Sequence, residues 1–402
     1  MHPVARNLLR KLLDQADRGG RHTVRINERS ARAYFEATGP ADRDAVHAAL
    51  ENAEAAGAVT LDWGRGAASR DLIRIRLADA DRLAAHLGES RAAQLAERTE
   101  RVVRPLLREA PDWLRTTLDD ALARWRRGAN AFGTPSADTE TARRLFQVAR
   151  AVAAGEHREL DLRRFSVRLL GDTKAVERLL GRLAGLLRRN PDWAEIDDDN
   201  QLYQALGLEK FPPPVFIRGP VRLRYGLVAA NAHDWDLTPL RPYVAIAPDA
   251  VHAVHVDAAP PYLLTIENLA SFQRHVREVA DGGLVLYTAG FPAPALIRFI
   301  GNLDTVLPVH CPFFHWGDRD PGGLAILQAV AAACPRHSVQ PHLMDRSTPD
   351  CPAFSADEVR RLQRLFGADG TAPAIARRWL DADLGRLEQE AVDPESPSTR
   401  TP

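Results

Sequence analysis

The sequence FFHWGDRDPGG, residues 313–323, predicts a buried strand that ends in two carboxylates and leads directly into a helix. The aromatic residues at its start are typical of a strand that runs through a hydrophobic core. Asp318 and Asp320 follow that strand, and Pro321 then stands where a helix commonly begins. Two acidic side chains at the end of a buried strand can hold a metal ion or a basic side chain, or can face only water.

The segments on both sides of this stretch alternate between strand and helix. Four apolar strands are predicted, in PYLLTIEN (261–268), LVLYTAG (284–290), PFFHWGD (312–318) and SVQPHLMD (338–345), and they are separated by helices in ASFQRHVREVADGG, APALIRFIGNL and GGLAILQAVAAA. Apolar strands joined through helices pair in parallel and carry helices on both faces. Because sites in such sheets lie at the carboxyl ends of the strands, Glu267, Asp318 and Asp320 are expected to lie together.

This predicted cluster of three carboxylates favours a divalent metal ion. Carboxylates without a cation repel one another, and the repulsion raises their pKa values. Oxygen ligands suit Mg²⁺ or Mn²⁺, and either ion can bind a phosphodiester while it activates water. Gly322 and Gly323 would let the backbone approach a phosphate at the start of a helix, where an anion is favoured. The sequence therefore predicts a Mg²⁺ or Mn²⁺ site that acts on DNA phosphate.

Three further residues are candidates to support this site. Asn268 follows Glu267, and Arg319 lies between the two aspartates, so both are expected to support the metal site or to contact the phosphate. Lys174 lies in the first turn of the helix predicted after SVRLLGD. A lysine there opposes the helix dipole, which indicates that it faces an anion, with a solvated lysine as the alternative.

The N-terminal 80 residues predict a winged-helix-like order of elements. Three helices are predicted, in VARNLLRKLLDQA, SARAYFEATG and DRDAVHAALENAEAAGAV, before a hairpin formed by VTLDW and DLIRIRL. Such a unit places one helix in a DNA groove and its wing on the phosphates, so Arg65 and Arg70 in the hairpin turn are candidate DNA-binding residues. The alternatives are a winged helix that contacts only protein and a plain helical module. Arg218, Arg222 and Arg224, around the Gly-Pro turn of FIRGPVRLRYG, are further candidates for DNA binding.

The composition excludes several other classes of protein. The chain has 402 residues and a formal net charge of zero, and only three of its 53 basic residues are lysines. Arginine suits bidentate phosphate contacts, although a genome rich in G and C explains the same bias. The three cysteines are widely spaced, which argues against disulfides and structural zinc. No apolar run is long enough to span a membrane and the N-terminus lacks the apolar centre of a signal peptide, so a cytoplasmic protein is expected.

The C-terminal part is predicted to be helical and then disordered. FSADEVRRLQRLFG begins with a capping box of Ser355 and Glu358, and AIARRWLDADLGRLEQEAV predicts a second helix that buries Trp379 and Leu380. The final stretch, DPESPSTRTP, is polar and rich in proline, which indicates a disordered tail.

Several of these motifs resemble those of a known family. A strand ending in Glu, in TIEN, followed by a strand ending in the pattern GDxDxxG resembles the Toprim domain of topoisomerases, primases and certain nucleases. More narrowly, TIENLASF, HWGDRDPGG and SVRLLGDTK resemble the D subunit family (JetD) of the bacterial Wadjet anti-plasmid systems, whose proteins are similar to the A subunit of topoisomerase VI. The resemblance is strong over residues 160–350 and faint before them, so the winged-helix-like region is not matched to the family and its role stays open.

This resemblance implies a function, a metal and partners. In that family the Toprim acidic residues bind metal for DNA cleavage, which carries over to Glu267, Asp318 and Asp320. The resemblance implies a metal-dependent DNA endonuclease that acts as the effector subunit of a plasmid-defence complex. It also implies double-stranded plasmid DNA as substrate, a homodimer, and an SMC-like ATPase, a kleisin and a small accessory subunit as partners.

Three different functions remain possible beside this one. Topoisomerase VI relatives form a covalent DNA link through a tyrosine in a winged-helix domain, and Tyr34, in SARAYF, is the one tyrosine here on a winged-helix-like helix. We interpret Tyr34 as a core aromatic, so hydrolysis by metal-activated water is expected instead. The second possibility is a DNA-binding regulator with an inert Toprim fold, and the third is a phosphatase with a DxD nucleophile. The phosphatase is disfavoured because its chemistry places the acidic pair on the first strand of the sheet, followed by a hydroxyl residue.

The sequence therefore predicts an α/β plus α protein in several parts. An N-terminal winged-helix-like domain and a helical region precede a Toprim-type parallel α/β domain and C-terminal helices. The predicted parts are a winged-helix-like domain (1–80), a helical arm or linker region (81–160), a central DNA-binding domain (161–255), the Toprim catalytic domain (256–350), the C-terminal helices (351–392) and the disordered tail (393–402).

Overall fold

The structure, a computed structural model, has two compact units, Met1–Ala154 and Gly155–Pro402. The residues that it describes are 1–20, 22–29, 31–36, 39–65, 71–158, 160–209, 213–346, 351–367 and 371–397. Within them, no helix combines the length and the apolar character needed to cross a membrane.

The first unit is mainly helical and carries one small antiparallel sheet. Its helices are α1 (Pro3–Asp17), α2 (Arg32–Phe35), α3 (Pro40–Ala55), α4 (Ala80–Leu87), α5 (Ala92–Val103), α6 (Asp112–Arg126) and α7 (Thr139–Ala153). Its strands, in the spatial order β1-β3-β2, are β1 (Thr23–Arg25), β2 (Val59–Trp63) and β3 (Leu72–Leu77).

The order of elements in this unit follows the hydrophobic pattern of the sequence. Helix α1 buries Leu8, Leu9, Leu12 and Leu13, which lie on one face at helical spacing. On β3, Ile75 is fully buried, whereas Arg76 points to solvent and pairs with Asp62 of β2. Three helices and the antiparallel pair β2–β3 thus occur in the predicted order. Most of the hairpin turn, including Arg70, lies outside the described residues.

The second unit contains eight α-helices and nine strands among its described residues. The helices are α8 (Leu162–Leu170), α9 (Ala175–Leu187), α10 (Asp199–Leu206), α11 (Leu269–Glu278), α12 (Pro294–Val306), α13 (Pro321–Ala332), α14 (Ala356–Arg364) and α15 (Thr371–Asp381). The strands are β4 (Val215–Arg218), β5 (Arg222–Tyr225), β6 (His233–Asp236), β7 (Val244–Ile246), β8 (Val251–His255), β9 (Leu263–Ile266), β10 (Leu284–Tyr287), β11 (Phe313–Trp316) and β12 (Val339–Pro341).

A six-stranded mixed sheet with the order β12-β11-β9-β10-β4-β7 forms the centre of this unit. Strands β12, β11, β9 and β10 pair in parallel, which confirms the pairing predicted for the four apolar strands. The prediction of an entirely parallel sheet is wrong, because β4 pairs antiparallel with β10 and β7 pairs antiparallel with β4. The sequence assigned β4 and β7 to a separate central domain, yet their apolar residues Val215, Ile217 and Ile246 belong to the core of this sheet. A second sheet has the order β6-β5-β8.

Helices cover both faces of the six-stranded sheet. On one face, Phe299 and Ile300 of α12 pack with Leu263 and Leu284 of the sheet. On the other face, Phe272 of α11 and Trp379 of α15 share a separate core cluster. This arrangement leaves the strand ends, and not the sheet faces, open for a site.

The C-terminal part differs from the prediction after α15. The predicted capping box of Ser355 and Glu358 is present at the start of α14. The sequence predicted a helix to about residue 392, but α15 ends at Asp381. The helix ends early because Asp383 takes a left-handed backbone conformation with φ of 50°. We call residues 385–397 the C-terminal strap. Its last part, which was predicted to be disordered, contacts the unit: Asp393 pairs with Arg274 at 2.7 Å.

Candidate functional site

Glu267 and Asp318 meet at the carboxyl ends of β9 and β11, as predicted. The register pairs Ile266 with Trp316, so the residues that follow them are neighbours across the sheet. The backbone N–H of Glu267 donates to the carbonyl of Trp316 at 2.9 Å. The backbone N–H of Asp318 donates to the Glu267 carboxylate, with 3.3 Å between nitrogen and Oε2. The two carboxylates therefore share one edge of the sheet.

Asp320 completes the predicted set of three carboxylates as the N-cap of α13. Its Oδ1 accepts a hydrogen bond from the backbone N–H of Gly323 at 2.7 Å. A Cβ atom on Gly323 would lie 2.2 Å from the carbonyl oxygen of Asp318, so the loop folds too tightly for any other residue there. A Cβ atom on Gly322 would lie 3.2 Å from Oδ1 of Asp320. These glycines therefore allow the acidic loop to fold back on itself.

The pKa values of Glu267 and Asp318 are raised. Burial, followed by the charges of Asp318 and Asp320, raises the pKa of Glu267 from 4.5 to about 8. Burial also raises the pKa of Asp318 from 3.8 to about 6, with smaller contributions from Asp320, Glu388 and Glu390 and a lowering by the backbone of Gln389. The charges that raise both pKa values are those of neighbouring carboxylates. A cation at this edge would therefore relieve the repulsion.

Two acidic residues of this site, Glu388 and Glu390, were missed by sequence reasoning. Ligand oxygens of Asp318, Glu388 and Glu390 lie within 4.8 Å of one another. The two glutamates flank Gln389 in the C-terminal strap, in a segment that the sequence predicted to be part of a helix. Nothing in the sequence indicates that this segment returns to the strand ends.

Gln389 joins the C-terminal strap to the ends of both strands. Its side chain is 1% exposed. Its backbone N–H donates to Oδ1 of Asp318 at 2.6 Å, and its side-chain Nε2 donates to the carbonyl of Trp316 at 2.8 Å. Its Oε1 accepts from the backbone N–H of Asn268 at 2.8 Å. Asn268 in turn caps α11 and donates from its side chain to Glu390, so it supports the site through the strap.

Arg319 is buried against the C-terminal strap and is not available to contact a phosphate. Its side chain is 1% exposed. The guanidinium donates to the carbonyls of Gly385 at 2.5 Å and Arg346 at 2.6 Å, and its backbone N–H donates to the carbonyl of Leu387 at 2.8 Å. These partners are backbone groups of the protein itself. Of the two roles predicted for Arg319, support of the site is the one that this geometry allows.

A buried histidine, His315, lies close to the carboxylate of Glu267. His315 is fully buried, and its Nδ1 lies 2.9 Å from the hydroxyl of Thr265, whereas its Nε2 has no hydrogen-bond partner among the described residues. A Cβ atom on Gly317 would lie 2.5 Å from Oε2 of Glu267 and 2.9 Å from Nε2 of His315. Burial lowers the pKa of His315 to about 3, so the ring is neutral. Only a glycine at position 317 lets the carboxylate and the ring lie this close together.

The other predicted residues do not join this cluster. Lys174 is exposed directly before α9, where its backbone N–H donates to Asp172 at 2.7 Å. Arg222 pairs with Asp257, and Arg224 lies 3.8 Å from Asp234. Arg65 is exposed just after β2. These positions leave the predicted DNA-binding roles of Arg65, Arg222 and Arg224 as predictions.

Arg218 is buried, so the prediction that it binds DNA is wrong. Its side chain is 3% exposed and donates to the carbonyl of Val279 at 2.7 Å and to Asp281 at 3.0 Å. The partner Asp281 lies 63 residues away in the sequence, which explains why the Gly-Pro turn looked like an exposed basic loop.

Loss of the Arg218 side chain is expected to destabilise the fold. Arg218→Ala leaves Asp281 without its buried cation, which costs about 3 kcal/mol of unfolding free energy. Urea unfolding followed by circular dichroism measures this change, and Arg224→Ala, at an exposed position, is the matched control with an expected change under about 0.5 kcal/mol. An unchanged stability of Arg218→Ala together with weaker DNA binding would contradict the burial argument.

Tyr34 lies in the core of the first unit, as expected for a core aromatic. Its side chain is 4% exposed, and its hydroxyl lies 2.6 Å from Nε2 of His47. Burial raises the pKa of the phenol, which disfavours the phenolate that a nucleophile requires.

The chemistry of the clustered side chains fits a hard divalent cation. Glu267, Asp318, Asp320, Glu388 and Glu390 offer only carboxylate oxygens, the ligand type that Mg²⁺ and Mn²⁺ prefer. The raised pKa values of Glu267 and Asp318, due first to burial and then to neighbouring carboxylates, are the second observation that favours such an ion.

Comparison with known proteins gives matches over most of the chain. A family model described as "Wadjet protein JetD, C-terminal" matches residues 228–399, and a second, described as "Uncharacterized protein conserved in bacteria N-term", matches residues 33–188. The Wadjet protein JetD of Bacillus cereus (strain Q1) is 26% identical over 190 residues, which are 46% of this chain and 44% of that relative. The chain therefore matches less than half the length of this relative. All five clustered carboxylates fall within the range of the first family model.

Proposed function

The chain belongs to the JetD family of Wadjet proteins, and from that premise we propose that it is a metal-dependent DNA endonuclease, the effector subunit of a plasmid-defence complex. The observation that carries this proposal is the meeting of Glu267, Asp318 and Asp320 at one sheet edge, where the pKa values of Glu267 and Asp318 are raised. The two parallel strands and the α13 N-terminus that carry these residues support a Toprim-type domain as part of the same proposal.

We assign each residue of the cluster a part in this function. Glu267, Asp318 and Asp320 would hold Mg²⁺ or Mn²⁺, which when bound polarises the phosphodiester and lowers the pKa of the attacking water. Glu267 is kept in place by the backbone N–H of Asp318, and Asp320 fixes the start of α13. At that helix start Pro321 has no N–H and the N–H groups of Gly323 and Leu324 donate to Asp320, so the N–H of Gly322 is the group that would contact the DNA phosphate.

The proposed substrate and partners follow from family membership. We propose double-stranded plasmid DNA as the substrate and a homodimer as the active form. An SMC-like ATPase, a kleisin and an accessory subunit of the same system are the proposed partners. The exposed residues Arg65, Arg222 and Arg224 are proposed to contact the DNA backbone, and Arg218 is excluded by its burial.

A plasmid cleavage assay tests this function. Purified protein is incubated with supercoiled plasmid and Mn²⁺, alone and with the ATPase, kleisin and accessory subunit, and the products are separated with and without protease treatment. Metal-dependent nicks or double-strand breaks with free ends support the endonuclease. Salt-sensitive DNA binding without cleavage, even with all partners present, would instead identify a DNA-binding regulator.

Tyr34→Phe is expected to leave cleavage unchanged. The proposed hydrolysis uses a water molecule, and the phenol of Tyr34 is buried against His47. The rate of plasmid cleavage and the state of the DNA ends measure this. Loss of cleavage, or DNA ends that shift on a gel after protease digestion of the wild type, would favour a covalent tyrosine intermediate.

A further inference from the structure

We propose that Gln389, on the C-terminal strap, is a positioning residue of the metal site and holds the carboxylate of Asp318 in place. This inference rests on the proposed metal-dependent function. The strap approaches the strand ends from a point 71 residues further along the chain than Asp318. Its backbone reaches the site through the N–H of Gln389, which donates to Oδ1 of Asp318 at 2.6 Å.

The side chain of Gln389 fixes the position of that backbone N–H. Its amide is nearly fully buried and bridges the ends of β9 and β11, accepting from Asn268 and donating to Trp316. Both partners are backbone groups that follow or end a strand, so the amide sets the separation of the two strands that carry Glu267 and Asp318. Without the amide, the N–H of Asn268 loses this acceptor, the carbonyl of Trp316 keeps only the N–H of Glu267, and the backbone of Gln389 can shift against the strand ends.

The same contacts orient Asp318 for a metal ion. Because Oδ1 of Asp318 accepts the Gln389 N–H, the rotation of the carboxylate is restricted and Oδ2 can be directed at the ion. Glu388 and Glu390 stand on either side of Gln389, and each offers a ligand oxygen within 4.8 Å of one on Asp318. Gln389 thus acts on the metal through Asp318 and its own neighbours without being a ligand itself.

The strap has other attachments, so its docking can be separated from the role of Gln389. Leu387 pairs with the backbone of Arg319, and Val392 lies in the apolar cluster with Trp379. Asp393 pairs with Arg274 on α11. These contacts are expected to keep the strap docked when only the Gln389 amide is removed.

The experiment compares Gln389→Met, which has a similar volume without the amide, with Val392→Ala, which removes an apolar anchor of the same strap. The affinity of each full-length protein for Mn²⁺ is measured by electron paramagnetic resonance of the free ion, and the melting temperature is measured in EDTA. Gln389→Met is expected to weaken Mn²⁺ binding about tenfold or more, the range found for groups that orient metal ligands. Val392→Ala is expected to lower the melting temperature and to leave the affinity within about twofold. Gln389→Asn, too short to reach both strands, is the second variant should the first fail to fold.

The outcomes separate this inference from the proposed function. If folded Gln389→Met binds Mn²⁺ as tightly as the wild type while Glu267→Gln no longer binds it, the role of Gln389 is overturned. The metal site itself would then still stand. Equal loss of affinity in Gln389→Met and Val392→Ala, in proportion to their melting temperatures, would reduce Gln389 to a structural residue. Absence of Mn²⁺ binding in the wild type would overturn the metal-dependent function and this inference together.

Discussion

Glu267→Gln is expected to reduce Mn²⁺-dependent plasmid cleavage by about three orders of magnitude, a loss of roughly 4 kcal/mol in transition-state stabilisation. The amide keeps the size of the side chain and can still accept from the N–H of Asp318, so the local fold is preserved. It removes the charge of a carboxylate whose pKa is raised first by burial and then by the charges of Asp318 and Asp320.

The control for this variant is Asp393→Asn. Asp393 is an exposed carboxylate on the C-terminal strap that pairs with Arg274, so its neutralisation changes the same net charge outside the cluster. Cleavage by the control is expected to stay within about twofold of the wild type. Equal activities of wild type and Glu267→Gln would show that this carboxylate does not take part in cleavage.

Stability of the metal-free protein is expected to fall as the pH rises from about 5 to about 8. The pKa of Glu267 is raised from 4.5 to about 8, and that of Asp318 from 3.8 to about 6. The folded state therefore binds more protons than the unfolded state over this interval. The stabilisation by protonation is complete below the unfolded pKa values and is lost as the pH passes through the folded ones.

Glu267→Gln isolates this effect from other titrating groups. In EDTA at pH 8, the variant is expected to melt about 5 °C above the wild type, because it carries no charge into the cluster. At pH 5, where Glu267 is protonated in the folded state, the two proteins are expected to melt at similar temperatures. Saturating Mn²⁺ at pH 8 should raise the melting temperature of the wild type more than that of the variant, because a ligand stabilises the state that binds it. A wild type that melts above the variant in EDTA at pH 8 would contradict the repulsion argument.

Local sequence patterns predicted the part of the site that lies on two neighbouring strands of the sheet. The apolar strands with acidic ends at Glu267 and Asp318 follow from the strand-pairing rules, whereas the N-cap role of Asp320 was found only in the structure. The parallel pairing of four strands and the helices on both faces follow from the same alternation.

The remaining parts of the site depend on contacts that have no sequence signature. The contact of Gln389 with Asp318 uses a backbone N–H, which every residue except proline carries. The burial of Arg218 depends on Asp281, 63 residues away, and the burial of Arg319 depends on carbonyl groups of separate segments of the chain. For both arginines the residue type indicated a surface charge, and the tertiary partners decided otherwise.

The C-terminal strap has a consequence for the synthesis of this protein in a living cell. A nascent chain that has emerged from the ribosome as far as Asp381 contains β9, β11 and α13 but lacks Glu388, Gln389 and Glu390. Asp318 then has neither its hydrogen bond from the strap nor its acidic neighbours there. Under the proposed function, a chain that has been synthesised only as far as Asp381 therefore carries no fully assembled cleavage centre, even though the strands that bear Glu267 and Asp318 are already present.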